Sequence, residues 1–417
     1  DRRTAPVFSI SATLFASTLP MPSTLSNRAV TIYCGLLMAI TAFSIDITLP
    51  FFAQIRTAMQ TSNDLVHATI TLNIFFLGIG QMLFGSLSDR YGRRPAVATG
   101  LSIYLLGALV CVFSPNIETL LVGRALQGLG AGAAPVVARA IIRDRFTGKQ
   151  IAQNMALAAG IFSIGPIAAP LVGAVLIELG GDWHIIFVAM ALMASALMAA
   201  LLRLPETLAS PQLDALRPAA IRRNIGTILA HPQSRYFLLL SGWTMVSIVT
   251  IISGMARVME SAFDVTGTLF AVLFAAHGLG IIIGQYCNHW LIGRFGTLAA
   301  SIYGAVVMTT ALSALVVLSA ADMVNAYGVS ALIVLYAVGY LPVYSNAASL
   351  TLEPHGRIAG FTAAFYGSFG QLFSALVASV VLIASGGRLV DWSLALAGIA
   401  AVTLVGLLVW QRAVRAA

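Results

Sequence analysis

Two ionisable residues stand where such residues are expensive. Asp46 lies in the apolar run 29–53 and is the only acidic residue deep in any apolar run; Arg124 lies in the run 117–141. A charge at the centre of a bilayer costs a few kcal/mol or more unless it is paired or faces a cavity. Desolvation favours the neutral form of a carboxylate and a nearby cation favours the charged form, so a site that alternates between the two is a proton carrier. At 1.5 Å per residue, Asp46 lies about 15 Å below Arg56 and Arg124 about 9 Å below Glu118, depths that an arginine side chain bridges. Pro50 leaves the Asp46 carbonyl without its helical donor, free to accept from Arg124 or from a substrate. Two plainer readings stand beside this one. The pair is a structural link between the first and fourth spans, or Arg124 snorkels to the interface.

These residues need elements that hold them in lipid. Of 417 residues, 59% are hydrophobic and 9% charged, against about 25% charged in soluble domains. In lipid only helices and closed barrels satisfy the backbone. The runs are continuous rather than alternating, so the class is an all-α membrane protein. Spans are expected at 29–53, 66–88, 96–114, 117–141, 152–178, 183–203, 237–258, 266–291, 298–320, 326–350, 358–385 and 391–411. The formal charge of +8 forms no basic stripe with interleaved aromatics, which excludes a nucleic-acid partner. Cys34, Cys111 and Cys287 lie in apolar runs without metal-type spacing, so neither a disulfide framework nor a metal site is expected.

Of the 23 Lys and Arg, only Arg56, Arg257 and Arg388 fall on one side and Arg124 within a span; the rest share the other side. The positive-inside rule then puts both termini in the cytoplasm of a bacterial inner (plasma) membrane protein. Residues 1–28 read as a disordered tail, with Met21 as the natural start. Residues 29–203 form one six-helix bundle, 204–235 a cytoplasmic linker broken by Pro205, Pro211, Pro218 and Pro232, and 236–417 a second bundle. Gly80, Gln81, Leu87, Arg90 and Gly92 recur 204 residues later as Gly284, Gln285, Leu291, Arg294 and Gly296. Such duplication builds transporters that rock two halves around a midplane site.

Four motifs sharpen this. Gly85-Ser-Leu-Ser-Asp89-Arg90-Tyr-Gly92-Arg93-Arg94-Pro is a tight basic turn between the second and third spans, and Asp144 lies at the foot of the fourth. Gly85 permits close helix approach, Asp89 suits the N-terminal dipole of the eleventh span near Arg357, and the arginines suit Asp144. Arg124-x-x-Gln127-Gly128-x-Gly130 follows in the fourth span. The fifth carries Gly160, Gly165, Pro166, Pro170 and Gly173, and Ser345–Leu372 crosses the tenth and eleventh. The plain alternatives are a positive-inside loop and small-residue packing.

On these motifs the chain from Arg28 to Arg415 resembles the major facilitator superfamily, and within it the Bcr/CflA group of drug:proton antiporters. The resemblance implies twelve transmembrane helices in two six-helix halves around a central cavity. It also implies a latch between the halves at the 2–3 loop, proton coupling through Arg124, and export rather than import from the Gly165-Pro166 form. A second acid present in some members is replaced here by Met38, which argues against a strong preference for cations.

The substrate cavity is expected among Asn73, Trp243, Met245, His277, Tyr336, Tyr340, Asn346, Phe365, Tyr366 and Phe369. Tyr336, Tyr340 and Tyr344 share one helix face, and a tyrosine at the bilayer centre wants a partner for its hydroxyl. The Phe stripe suits lipid equally well. Export of amphipathic compounds, including antibiotics, against protons is the leading reading. Transport of one metabolite, such as a sugar, siderophore or amino acid, is the alternative. An intramembrane enzyme lacks an acid/base or metal constellation, and an ATP-driven pump lacks a GxxxxGK[ST] loop. No cofactor is expected. The partners are the small substrate, protons and the bilayer, around a monomer.

Overall fold

The computed structural model describes residues 25–416; the tail read at the N-terminus, with Met21, lies outside the described residues up to Ser23 and Thr24. The chain runs through α1 Asn27–Asp46, α2 Phe52–Ala58, α3 Asn63–Tyr91, α4 Arg93–Val112, α5 Ile117–Ala131, α6 Ala133–Arg145, α7 Lys149–Glu178 and α8 His184–Leu201. It continues through α9 Pro218–Ala230, α10 Pro232–Phe263, α11 Gly267–Phe295, α12 Thr297–Ala320, α13 Ala326–Leu352, α14 Ala359–Ser385 and α15 Leu389–Ala416.

Local chemistry sets these boundaries. Side chains of Ser26, Ser62, Asn116 and Asn325 accept the first free backbone N–H groups of α1, α3, α5 and α13, as helix starts require. The first span runs over Asn27–Ala58 and bends within it: α1 stops at Asp46, and a 3-10 turn over Leu49–Phe51 carries Pro50 before α2. The fourth span divides at Gly132 into α5 and α6. Among the described residues, eleven continuous helical stretches are long and apolar enough to cross a membrane. One of them, Ala326–Ser385, is 60 residues long and turns back at a 3-10 segment, Glu353–Ile358, with non-helical His355. It therefore makes two spans, α13 and α14, and the described residues form twelve.

The stretch 204–235 is not simply broken by its prolines. Pro218 starts α9 and Pro232 starts α10, each at the first helical turn, where proline's missing N–H costs nothing. The seventh span consequently begins five residues earlier than its apolar run.

The duplication is visible in the helix limits. Adding 204 to the ends of α3 gives the ends of α11, and adding 204 to Arg93 gives Thr297, the start of α12. Gly92 and Gly296 join these helices with φ of 110° and 83°, a region open to glycine. Beyond the third span the offset is 209: α4 meets α5 through Gly100 and Gly130, and α12 meets α13 through Gly304 and Gly339. The halves meet mainly where α3 packs on α14 and α7 on α11.

Candidate functional site

Arg124 is fully buried in α5, which removes the snorkelling alternative. Its Nε donates to the Thr69 carbonyl at 3.3 Å and its Nη1 to Gln127 Oε1 at 2.8 Å, while Nη2 has no partner among the described residues. The ring of Phe187 lies 6.0 Å from its guanidinium carbon. Asn73 Nδ2 donates to the Arg124 carbonyl at 3.0 Å and to Ser44 Oγ at 3.3 Å, so α1, α3 and α5 are tied at this level. Asp46 lies two residues beyond Ser44 at the end of α1. It is buried, and its Oδ1 has no partner among the described residues. The Tyr104 hydroxyl is also buried without one. Asp46 and Arg124 form no ion pair among the described residues, and Arg124 gives its donors to Thr69 and Gln127 rather than to the Asp46 carbonyl.

This level depends on backbone approach. Gly128 faces the Asn73 carbonyl so closely that no Cβ fits, and Gly80 faces the Leu129 carbonyl in the same way. In α7 both prolines lie inside a continuous helix. Gly165 packs against Ala42 of α1, Gly173 against the Ile47 carbonyl and Pro50, and nothing approaches Gly160. Ile167, beside Pro166, fills the space at Gly278 of α11.

At the arginine-rich face the basic turn closes mostly within its own half. Arg93 takes both acids: its Nη1 donates to Asp89 Oδ1 at 2.6 Å and its Nε to Asp144 Oδ2 at 2.8 Å. Arg90 instead lies over the Tyr91 ring, and Arg94 contributes its backbone N–H, not its charge, to Glu206. Asp89 thus spends its charge on Arg93, not on the dipole of the eleventh span. It still lines a small cavity with Arg143, Gly360 and Phe361 at the start of α14. Gly85 lies against Ala364, and Ser368 Oγ donates to the Gly78 carbonyl at 2.6 Å, so α3 and α14 are zipped along this line.

The opposite face is closed by contacts invisible in the motifs. Arg56 and Glu260 form a bidentate pair, Nη2 to Oε1 at 2.7 Å and Nη1 to Oε2 at 3.3 Å. Arg257 pairs with Asp64 at 2.5 Å, and Thr268 Oγ1 donates to Glu178 at 2.6 Å. All three contacts join one half to the other. The numbering did carry a signal: Glu260 is the residue 204 positions after Arg56, and repeat mates touch only near the pseudo-twofold axis.

The expected cavity residues divide. Trp243 Nε1 donates to the Ile399 carbonyl at 3.1 Å and Tyr336 shares a 2.6 Å hydrogen bond with Ser247. His277 Nδ1 lies 2.5 Å from the Phe274 carbonyl, and Asn346 is doubly bonded to Asn288. These four spend their polar atoms within the second half. Met245 lies by Gly370, and Phe369 lies over Gly242, with Phe365 next along the stripe. Tyr336, Tyr340 and Tyr344 do form a stacked ladder, and Tyr366 joins it through its hydroxyl, which donates to the Tyr344 carbonyl at 2.9 Å.

Comparison with known proteins agrees with this architecture. The Major Facilitator Superfamily pattern matches residues 32–378. The uncharacterized MFS-type transporter YdgK of Bacillus subtilis is 30% identical over 371 residues, covering 86% of this chain and 90% of that one. The bicyclomycin resistance protein homolog of Haemophilus influenzae is 26% identical, covering 83% and 88%. A crystal structure of a D-xylose-proton symporter superposes with a TM-score of 0.72 at 14% identity, covering 91% and 96%, a likeness of fold alone. Twelve spans in two duplicated halves and this match together place the chain in the Major Facilitator Superfamily, among its Bcr/CflA-type members, as a multi-pass membrane transporter and not an enzyme.

Proposed function

We propose that this transporter exports small amphipathic molecules, antibiotics among them, in exchange for protons by alternating access. The observation that carries the reading is Asp46, a buried carboxylate with an oxygen unpartnered among the described residues, in the same half as the buried Arg124, which pairs with no acid among them. A buried polar atom without a partner costs about 1–3 kcal/mol. A proton on Asp46, or a substrate group reaching the same level, relieves that cost, so the two compete for one state of the protein. The charge bias puts the arginine-rich face and both termini in the cytoplasm of the bacterial plasma membrane. The opposite face is then the periplasmic one, sealed here by Arg56–Glu260 and Arg257–Asp64. The resistance named in the Haemophilus influenzae relative supports export of drugs by this chain as well.

The test is Asp46→Asn in proteoliposomes under an imposed pH gradient. Uphill export and substrate-triggered proton movement should both disappear while substrate binding in detergent persists. Gradient-driven export at the wild-type rate in that variant would remove Asp46 from the proton path. Reporter fusions at Arg415 and in the stretch 204–235 test the orientation, and a periplasmic signal from either would reverse it.

A further inference from the structure

At the arginine-rich face the first turn of α10 is tied to the turn that joins α13 to α14. Gln233 Nε2 donates to the Leu350 carbonyl at 2.9 Å and to Glu353 Oε2 at 3.0 Å. One residue on, Ser234 Oγ shares a 2.9 Å hydrogen bond with His355 Nε2 and a 3.4 Å one with His231 Nδ1. The two imidazole rings stand edge to face, with centroids 5.7 Å apart. Ser234 and His355 are buried, and His231 is half-buried. His231 precedes α10, and His355 is the non-helical residue within Glu353–Ile358. Two titratable rings from opposite ends of the second half thus converge on one hydroxyl.

A serine hydroxyl has one proton to give and two lone pairs to accept with. With both imidazoles neutral, Ser234 accepts from the N–H of one ring and donates to the bare nitrogen of the other. A proton on that bare nitrogen makes it a donor as well. The buried hydroxyl then faces two donors, and its own proton loses its acceptor. The surrounding elements do little for an imidazolium. α9, α13 and α14 carry no acid, and Glu260 of α10 and Asp391 of α15 lie at the other ends of their helices. Glu353 already accepts from Gln233. Arg222 and Arg223 of α9, Arg235 of α10, Arg357 of the turn and Arg412 and Arg415 of α15 add only positive charge. Across the interface, Asp89 holds Arg93, and Arg143 lies against Gly360. Burial, and after it the charge of His231, hold the His355 imidazole below its ordinary range. The duplication does not require this arrangement. The mates of His231 and Ser234 at offset 204 are Asn27 and Val30, and the mate of His355 at offset 209 is Phe146. The first half ties the corresponding corner with a bond that does not titrate near neutrality, Arg145 Nε donating to Asn27 Oδ1 at 3.0 Å.

We infer that His231, Ser234 and His355 form a pH-sensitive clasp, which pins the turn between α13 and α14 to α10 while its imidazoles are neutral and releases that turn when they are protonated. The turn leads into α14, the helix on which α3 closes this face through Ser368 with Gly78 and Ala364 with Gly85. Release therefore loosens the closed form at the arginine-rich face. A base whose proton affinity is lowered in the clasped form favours that form above its ordinary pKa, about 6.5 for histidine. That contribution is lost as pH falls through and below this value. The clasp is independent of the substrate, and only its placement on the cytoplasmic side rests on the orientation proposed above. In that orientation the protons that exchange brings inward act on it.

The test is amide hydrogen exchange, read by mass spectrometry, on the full chain in neutral detergent at about pH 7.5 and 5.5. Rates are corrected for the intrinsic pH dependence of exchange. Protection of the turn 353–358 and the first turn of α14 should fall about threefold or more on acidification. The middle of α12 should keep its protection. His231→Asn combined with His355→Gln keeps hydrogen-bonding groups in place without titrating, and should hold the turn at both pH values. Ser234→Ala should leave the turn poorly protected at both. Glu353→Gln should not remove the pH response, since a carboxylate titrates near 4.3. The inference is overturned if the wild-type turn is equally protected at both pH values or if α12 loosens in parallel. It is also overturned if the double histidine variant still responds to pH or if Glu353→Gln no longer does. No substrate or proton gradient enters this measurement, so failure of export in vesicles and failure of the clasp are separate results.

Discussion

Neutralising Glu260 should open the face that Arg56 and Glu260 close. The pair is bidentate, at 2.7 and 3.3 Å, with side chains 32% and 24% exposed. Arg56 is further held by Asn63 Oδ1 at 2.9 Å. Partial exposure means screening, and exposed pairs are worth about 0.2–1 kcal/mol, with bidentate geometry near the top of that range. The partners belong to different halves and must separate when this face opens. Nearly all of their coupling therefore falls on the equilibrium between closed and open forms. Losing about 1 kcal/mol shifts that ratio by roughly fivefold, since 1.4 kcal/mol is tenfold. Arg257–Asp64 remains as a second bridge, so Glu260→Gln should enrich the open form without unfolding the chain. Double electron–electron resonance between labels at Ala58 and Ala262, both exposed near the pair, on a background free of Cys34, Cys111 and Cys287, reads the distribution. Longer distances should gain population in the variant, and high salt should move the wild type the same way. The exchange Arg56→Glu with Glu260→Arg should restore the wild-type distribution. An unchanged distribution in Glu260→Gln, or an exchange variant no better than either single one, would show that the pair is decoration on a face closed by packing.

Two further outcomes concern Glu206 and Gly128. Glu206 accepts from the backbone N–H groups of Arg93, Arg94, Thr207 and Leu208 at 2.8–3.0 Å. Burial pushes its carboxyl up, but these four donors outweigh burial and hold it below the usual carboxylate range. A group depressed in the folded state stabilises above its unfolded pKa, about 4.3, and loses that contribution as pH falls through and below it. The difference in thermal midpoint between wild type and Glu206→Gln should therefore be present at pH 7 and shrink on acidification toward pH 4; a difference independent of pH would refute the assignment. Gly128→Ala should drive a methyl into the Asn73 carbonyl and cost about 1–3 kcal/mol or more, lowering the midpoint, whereas Gly160→Ala, with nothing near it, should not. Equal midpoints for the two variants would mean that α3 and α5 are not held at backbone contact.

Most of the architecture was legible in the chain because lipid leaves few solutions. Continuous apolar runs must be helices, a repeat at 204 residues must give two like halves, and Gly92 and Gly296 mark the same turn twice. The prolines of the stretch 204–235 were misleading, because Pro218 and Pro232 forbid a helix to continue but favour one that begins. The first span likewise bends after Asp46, well inside its apolar run, since hydropathy does not record where the backbone kinks. Asp46 and Arg124 stood out from the sequence because an ionisable residue in lipid is rare and costly, and that cost needs no knowledge of neighbours. Which neighbours they find was not written there. Three arginines of the basic turn have the same chemistry, yet only Arg93 reaches Asp89 and Asp144 together, because the turn at Gly92 aims it back between α3 and α6. Arg139 looked like one more loop charge, yet it lies half-buried in the middle of α6 without an ion pair among the described residues. Periodicity assigns a residue to a face of its own helix; the partner of that face is decided only when helices distant in sequence pack, because their contacts depend on rotation, tilt and close approach rather than on local pattern.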